Sequence, residues 1–217
     1  MSNLTAYLLL SVGFLILFFI GELLLKFFKV SSEISRKFAH ITSGLLACAF
    51  PFAFDSHWWV MAICASFLAL LYLSAKFNFL KSINSVERKT YGSVLYPIAI
   101  YICFFLNQLL TNDSGQFQFY FTSVLILALS DPLAAIIGGN YPIFRFKKIA
   151  TGKSLGGALA FFISTFIISF SFLNFDNKIL ICFAISLLST LVELICSKGF
   201  DNLFIPLSCY LIFFFLK

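Results

Sequence analysis

Apolar residues run through this chain in segments of close to 20 residues, and short polar stretches separate them. About 20 apolar residues in a helix cross a hydrocarbon core of ~30 Å. The pattern therefore predicts an all-α fold, a polytopic bundle of seven or eight transmembrane helices in a single integral membrane domain over residues 1–217. The predicted spans lie near 4–25, 38–54, 58–75, 93–110, 117–137, 155–173, 179–196 and 203–216, the last being short for a full crossing.

Composition agrees with the membrane assignment. Hydrophobic residues make up 61% of the chain and charged residues 11%, with a mean hydropathy of +1.00. A soluble domain of this length needs far more charge. The first apolar run has neither a basic segment before it nor a small-residue cleavage site, so we interpret it as a retained span.

The basic residues predict the orientation in the membrane. Thirteen of the 15 Lys and Arg residues fall on one side of the predicted topology, namely Lys26, Lys29, Arg36, Lys37, Lys76, Lys81, Arg88, Lys89, Arg145, Lys147, Lys148, Lys153 and Lys198. Because cytoplasmic loops carry the excess of Lys and Arg, this side should face the cytoplasm, with both termini outside. The net charge of +6 then reflects topology and a phosphate-attracting face. It does not indicate nucleic-acid binding, since the chain has no soluble basic domain.

Cysteine and phenylalanine carry no predicted chemistry. The six Cys residues stand singly in apolar runs, without metal-ligand spacing. We expect them to be small buried hydrophobes. The 31 Phe residues are expected to serve as lipid-facing bulk and packing.

Several polar residues lie at the predicted cytoplasmic ends of the spans. Acids at membrane depth are expensive, about 2.5–3.5 kcal/mol at a helix centre on insertion scales, so each is a candidate functional residue. The candidates are Glu22, His40, Asp131, Glu193 and the Asp201-Asn202 pair. By contrast, the acids and the histidine of the outer loops are expected to be solvated loop residues: Asp55, His57, Asp113 and Asp176.

The start of the second span combines two cations with a histidine. Arg36 and His40 are four residues apart and share a helix face, while Glu33 can pair with Lys37 on the adjoining face. Gly44 continues the first face, and its small size permits a close helix approach. Arg36 and Lys37 are either anchors that set the topology or ligands for phosphate. His40 has no topological role, so we predict a catalytic one.

The fifth span ends on Asp131-Pro132. Proline disrupts a helix and frees backbone groups that lipid cannot satisfy. An acid beside such a break can face a polar cavity, and we predict Asp131 to be a metal ligand or a catalytic base.

Gly152-Lys153-Ser154 enters the sixth span and resembles the end of a nucleotide-binding P-loop. It fails that pattern, because Lys147 stands where the first glycine is required. Backbone N–H groups at a helix start, together with a lysine, still form a good anion site. We therefore predict that these three residues bind phosphate.

Glu193 and Asp201-Asn202 cluster at the membrane edge. Such hard oxygen ligands suit Mg²⁺, which proteins usually hold through one or two carboxylates and the phosphates of a substrate. The sequence predicts a magnesium site at Asp131, Asp201 and Asn202.

Four blocks of residues together resemble the CTP-dependent polyprenol kinase family of membrane enzymes, which includes phytol, dolichol and CTP-dependent diacylglycerol kinases. They span roughly residues 33–207 in this order: Arg36-Lys37-Phe38-Ala39-His40 with Gly44; Arg88-Lys89-Thr90-Tyr91-Gly92 with Tyr96-Pro97; Asp131-Pro132-Leu133-Ala134-Ala135-Ile136-Ile137-Gly138 with Lys153-Ser154-Leu155-Gly156-Gly157; and Glu193 with Asp201-Asn202 and Pro206. The chain departs from the family at two positions. Ser130 precedes Asp131 where members often have glycine, and Gly156 stands where they often have glutamate.

The resemblance implies transfer of a phosphoryl group from CTP to the hydroxyl of a lipid alcohol, with Mg²⁺ as cofactor. Phosphoryl transfer mainly needs positioning and charge neutralisation. Asp131 would act as metal ligand or base, and Glu193 would support it. Lys153, Arg36 and Lys37 would neutralise phosphate, with Arg88 and Lys89 as further candidates.

Two other functions remain open at this point. A cytidylyltransferase like CDP-diacylglycerol synthase would use the same nucleotide and a similar acidic site, although the C-terminal motif of such synthases is missing. A small transporter would instead have paired broken helices in two related halves. The apolar spans do not distinguish a prenol from diacylglycerol as the substrate. They also predict neither a preference for CTP over ATP nor an oligomeric state.

Overall fold

Serine residues in the polar stretches start four of the helices. In the computed structural model, which describes residues 1–84, 90–111, 116–146 and 152–215, the hydroxyls of Ser2, Ser31, Ser56 and Ser154 each accept a hydrogen bond from an N–H of the first helical turn. This capping satisfies donors that have no partner within the helix. Apolar runs set where the helices lie in the membrane, and these caps set where they begin.

The described residues form α-helices joined by short connections, with one π-helical turn and no strand. The helices are α1 (Asn3–Lys26), α2 (Ser32–Ala47), α3 (Phe50–Ala53), α4 (His57–Phe77), α5 (Lys81–Asn84), α6 (Gly92–Thr111), α7 (Gln118–Leu125), α8 (Asp131–Asn140), α9 (Leu155–Phe172), α10 (Lys178–Ile195) and α11 (Asp201–Phe215), and the π-helical turn covers Ile126–Ser130.

The all-α membrane fold is confirmed, while the number of spans was approximate. Among the described residues, 6 helices are long and apolar enough to cross a membrane, α7 to α8 counting as one of them. The predicted span 38–54 is divided into α2 and α3, and α11 has only 15 residues. Helix α2 has only 16 residues and carries Glu33, Arg36, Lys37 and His40, so it is both too short and too polar to count as a span.

The segment Gln118–Asn140 forms the centre of the bundle. In its most apolar window 61% of the residues are buried, against 22–39% in the other candidate spans. It packs against α2, α9 and α11. The side chains of Tyr120, Ile126 and Leu127 are fully buried there. Most residues in the first half of this segment are therefore positioned by protein contacts, while Leu133 and Ile136 of α8 are exposed.

The expected helix break at Asp131-Pro132 takes a milder form. The helix continues through the proline, which lies in the first turn of α8, and widens into the π-helical turn just before it. Because proline has no N–H, the wider turn leaves a backbone carbonyl without its usual partner. Such π-helical turns occur often at functional sites.

Gly44 provides the close approach between α2 and the π-helical turn, as predicted. A Cβ atom at this position would lie 2.4 Å from the Cβ of Ala128 and 2.5 Å from the hydroxyl of Tyr96. Both distances are below van der Waals contact. The absence of a side chain at Gly44 therefore sets how closely α2 approaches the central segment.

Gly44→Ala should lower the thermal midpoint of the detergent-purified protein, because overpacking a tight contact costs about 1–3 kcal/mol. Gly139→Ala is the matched control: it is also helical, and a Cβ there would meet nothing within 4 Å. Alanine favours a helix over glycine by about 1 kcal/mol, so the control should be neutral or stabilising. Equal midpoints for both variants would show that the approach at Gly44 is not tight.

Candidate functional site

His40 joins α2 to the π-helical turn. Its Nε2 lies 2.9 Å from the carbonyl oxygen of Leu127. In π-helical pairing this carbonyl would accept from residue 132, which is Pro132 and has no N–H. A carbonyl can only accept, so Nε2 carries a proton and donates it to Leu127. The ring of Tyr96 packs at 4.3 Å between centroids, and its hydroxyl donates to the His40 carbonyl at 2.8 Å.

Asp131 lies beside His40 at the start of α8. Its Oδ2 is 4.0 Å from Nε2 of His40, too far for a hydrogen bond. Two further acids, Glu193 and Asp201, and the cations Lys153 and Arg36 lie close enough to interact with this carboxylate electrostatically. The structure thus gathers residues from three of the four motif blocks around Asp131.

Lys153 occupies the centre of the acidic group. Its ammonium lies 2.8 Å from Oε1 of Glu193 and 3.8 Å from Oδ2 of Asp201, and it also donates to the backbone carbonyl of Glu193. The Glu193 side chain is 9% exposed and that of Lys153 is 20% exposed. These contacts link the residues just before α9 to the end of α10 and the start of α11. Removing one member of the buried pair would leave an uncompensated charge.

The N–H groups at the start of α9 do not form the open anion site that the sequence predicted. Leu155 N–H donates to the Phe144 carbonyl at 2.8 Å, and Gly156 N–H donates to the Pro142 carbonyl at 3.2 Å. Gly157 N–H donates to the hydroxyl of Ser154, which is the helix cap. The returning segment before α9 supplies these acceptors. Phosphate binding at Lys153 and Ser154 would therefore depend on the lysine side chain, and Gly152 lies exposed with a φ of +93°.

A second junction brings the other motif residues together at Gly92, the first residue of α6. A Cβ there would lie 2.7 Å from Nη2 of Arg36 and 2.9 Å from Nδ2 of Asn202. Asn202 donates to the Gly92 carbonyl at 2.8 Å, and Arg36 donates to the hydroxyl of Thr90 at 3.4 Å. Only glycine leaves room for both side chains at this point.

The turn between α10 and α11 fits against the same junction. Gly199 has a φ of +89°, and a Cβ on it would lie 2.2 Å from the Gly92 nitrogen. The Lys198 carbonyl accepts from the N–H of Tyr91 at 2.9 Å. This contact fixes Asp201 and Asn202 relative to Arg36.

The carboxylates of this cluster could contribute ligands to the predicted Mg²⁺, provided that a bound substrate completes the coordination. Three carboxylates, of Asp131, Glu193 and Asp201, face two cations, so the cluster carries an excess of negative charge when all are ionised. In the described part of the chain, no three His, Cys, Asp or Glu side chains are grouped closely enough to hold a metal by themselves. A bound Mg²⁺ would therefore need further ligands, such as the phosphates of a substrate.

Other predicted residues occupy different places. Lys37 pairs with Glu33 at 3.5 Å, as the spacing predicted, on the face beside Arg36. Arg88 and Lys89 lie outside the described residues. Glu22 accepts from the N–H of Ser82 at 2.7 Å and so has a structural partner.

The altered family position at Gly156 has a structural explanation. A Cβ there would lie 2.0 Å from the Tyr141 carbonyl oxygen. The segment before α9 thus occupies the space in which a glutamate side chain would begin. Sequence reasoning did not find this contact, because the two residues belong to no common motif.

Fold and site together define a polytopic membrane protein with an acidic and basic cluster buried at one end of its helices. The chain is 28% identical over 202 residues to phytol kinase from Synechocystis sp. (strain ATCC 27184 / PCC 6803 / Kazusa), which covers 88% of this chain and 83% of that protein. This similarity confirms the resemblance to a polyprenol and phytol kinase-like family. No family model and no solved structure matches the chain.

Lys153→Met should destabilise the protein, by up to about 3–5 kcal/mol, since Glu193 would stay buried without its partner. The double variant Lys153→Met/Glu193→Gln should recover much of that loss. Lys178→Met is the control, because Lys178 lies at the other end of α10, 4.4 Å from the Phe170 ring centroid. Thermal midpoints in detergent measure all three. A double variant no more stable than the single one would show that the two charges are not coupled.

Proposed function

We propose that this protein is a membrane lipid kinase that transfers the terminal phosphoryl group of CTP to the hydroxyl of a lipid alcohol. The alcohol would be a prenol or polyprenol, such as phytol or dolichol, or diacylglycerol. The observation that carries this proposal is the convergence of Asp131, Glu193, Asp201, Lys153 and Arg36 at one end of an apolar helix bundle. The similarity to phytol kinase supports the kinase class.

The proposed reaction needs one proton acceptor and several positive charges. The hydroxyl oxygen of the alcohol attacks the terminal phosphorus, and the bond from that phosphorus to the bridging oxygen breaks, releasing CDP. The hydroxyl proton passes to a carboxylate. Asp131 is our candidate for this role, because it lies beside the cations and next to His40. His40 donates its Nε2 proton to Leu127, which favours a positioning role over direct proton transfer from that nitrogen.

The developing charge on the phosphates would be neutralised by Arg36 and Lys153. Mg²⁺, if bound here, would supply further positive charge against the phosphates during transfer. Asp201 would hold it together with the side-chain oxygen of Asn202, whose side-chain N–H donates to the Gly92 carbonyl. Asp131 would be a third ligand only if another group takes the hydroxyl proton. Glu193 would keep Lys153 in place through their contact.

The proposed site faces the cytoplasm, where nucleotide is available. The excess of Lys and Arg at this end of the helices supports that orientation. CTP as donor follows from the family resemblance alone. Purified protein should therefore be tested with labelled CTP and ATP against phytol, polyprenols, diacylglycerol and phosphatidic acid. A lipid monophosphate with CDP supports the kinase, whereas a CDP-lipid with pyrophosphate would identify a cytidylyltransferase.

Asp131→Asn should abolish phosphoryl transfer and leave membrane insertion intact, since the change keeps the size of the side chain and removes its charge. Turnover is measured over a range of Mg²⁺ concentrations. Asp55→Asn is the control, because Asp55 lies at the opposite end of the bundle, hydrogen-bonded to Asn3. This variant should keep its activity. Near-normal turnover of the Asp131 variant would make this residue structural and place the chemistry elsewhere.

Arg36→Ala should raise the apparent KM for the nucleotide by roughly 10–150-fold, which corresponds to a lost charge-assisted contact of about 1.5–3 kcal/mol. Kinetics at saturating lipid isolate this effect. Lys29 is a basic residue at the same end of the bundle and is exposed. Lys29→Ala should therefore change the apparent KM little. Similar effects of both changes would mean that Arg36 contributes only to the general positive charge of this end.

A further inference from the structure

The segment that follows α8 carries large apolar side chains that point away from the protein. Tyr141 is 72% exposed, Ile143 is 75% exposed and Phe144 is 60% exposed. Arg145, the next residue in the chain, is also exposed. We call these four residues the α8–α9 tip. Exposed apolar side chains that are grouped in this way mark a surface that contacts a membrane or a partner.

The backbone of the tip holds Ile143 in an unfavourable conformation. Its φ is 56°, in the left-handed region that β-branched residues rarely adopt. The N–H of Phe144 donates to the Pro142 carbonyl and closes a three-residue turn around Ile143. Such turns are rare and strained when the central φ is positive. Asparagine or glycine would relieve this strain, so isoleucine at this position lowers the stability of the protein unless its side chain is buried against something outside it.

Backbone hydrogen bonds join the tip to the start of α9. The N–H of Phe146, directly after the tip, donates to the Lys153 carbonyl at 3.0 Å. Arg145 pairs with Ser154 in an antiparallel bridge, and the Phe144 carbonyl accepts from the first N–H of α9. Lys153 is the residue whose ammonium lies among the carboxylates. A displacement of the tip would therefore displace Lys153.

The bilayer is the partner that fits this surface. Helices α8 and α9, on either side of the tip, belong to candidate spans and expose apolar side chains near it, namely Ile136, Leu155 and Leu159. The tip thus continues a surface that faces lipid. Tyr141 is of a residue type enriched at membrane–water interfaces. Arg145 adds a positive charge, and cytoplasmic leaflets carry anionic headgroups that attract such charges.

We infer that the α8–α9 tip docks on the cytoplasmic leaflet of the bilayer, with Ile143 and Phe144 among the acyl chains and Arg145 at anionic headgroup phosphates. Burial of the two apolar side chains offsets the strain at Ile143. Docking also holds Lys153 in place through the backbone contacts, so the membrane surface helps to form the site for the nucleotide phosphates. This last step rests on the proposed function, whereas the docking itself does not.

Spin labelling measures where the tip lies without any assay of activity. In a cysteine-free background, a label at Ile143→Cys in vesicles of phosphatidylcholine and phosphatidylglycerol should be more accessible to oxygen, which concentrates in hydrocarbon, than to a water-soluble nickel chelate. A label at Asp176→Cys, in the exposed connection before α10, is the control and should show the reverse.

The same labels test the recognition of anionic headgroups. In vesicles of phosphatidylcholine alone the label at position 143 should lie nearer to water, and Arg145→Gln should remove this difference between the two lipid compositions. A label at position 143 that is more accessible to the nickel chelate in both kinds of vesicle would overturn the docking. A depth that does not depend on phosphatidylglycerol would overturn the role of Arg145.

Ile143→Asn tests the link between the tip and the nucleotide. Asparagine is polar and adopts a positive φ readily, so this variant should keep or raise the thermal midpoint while it loses the contact with lipid. In vesicles the apparent KM for the nucleotide should rise by about 2–30-fold, the range expected for one residue that couples two sites. Ile179→Asn is the matched control, the same change at a side chain that is 68% exposed at the opposite end of the bundle, in the first turn of α10.

Equal KM values for the two variants would reject the role of the tip in nucleotide binding. The two kinds of measurement also separate this inference from the proposed function. If the wild-type protein transfers no phosphoryl group in any of the assays, the proposed function fails, and the depth of the label at position 143 still decides whether the tip docks on the bilayer.

Discussion

The ammonium of Lys153, held among carboxylates, is the contact on which the polar end of this protein depends. A lone acid at this depth in an apolar bundle would be unfavourable, and three of them would repel one another. Lys153 offsets that repulsion by binding Glu193 directly and lying near Asp201. Through these contacts one side chain ties the start of α9 to the end of α10 and the beginning of α11. The geometry of the acids is thus part of the packing of the helices.

A second constraint comes from the central helix. The π-helical turn and Pro132 leave the Leu127 carbonyl for His40, and Gly44 lets α2 come close enough for this contact. The same turn leads into Asp131, so the residue that we propose as proton acceptor is fixed by backbone geometry on one side and by charge on the other. Gly92 and Gly199 fix Asn202 and Arg36 in a similar way, through the absence of side chains.

Much of this arrangement follows from the sequence, because hydropathy and charge act locally. The apolar runs predicted the long helices, the spacing of Arg36 and His40 predicted their shared face, and Glu33 with Lys37 was recognisable as a pair. The motif residues were also identified as one group. Boundaries were less accurate where polar residues lie inside a helix: the predicted span 38–54 missed the polar first turns of α2, which begins at Ser32, and joined α2 to α3.

Other features depend on contacts between distant segments and leave no local pattern. The acceptors Pro142 and Phe144, which occupy the N–H groups of α9, belong to a returning segment that hydropathy does not describe. Phe14, Phe50 and Phe67 resemble the lipid-facing phenylalanines along the chain, yet they are buried in the core of the bundle. An apolar residue in an apolar helix carries no sign of which way it faces, so only the assembled bundle separates the two groups.

The position of His40 has a consequence for the protein as a boundary between two solvents. His40 lines a small apolar pocket together with Phe67 and Ile100, and its Nε2 lies 4.0 Å from the carboxylate of Asp131. Across most of a membrane protein, oil and charge are separated by the interfacial layer of the bilayer itself. Here that separation is reduced to the thickness of one imidazole ring, anchored by Leu127 and Tyr96. An apolar pocket and a charged cluster therefore meet at a single residue, with no layer of bilayer interface between them.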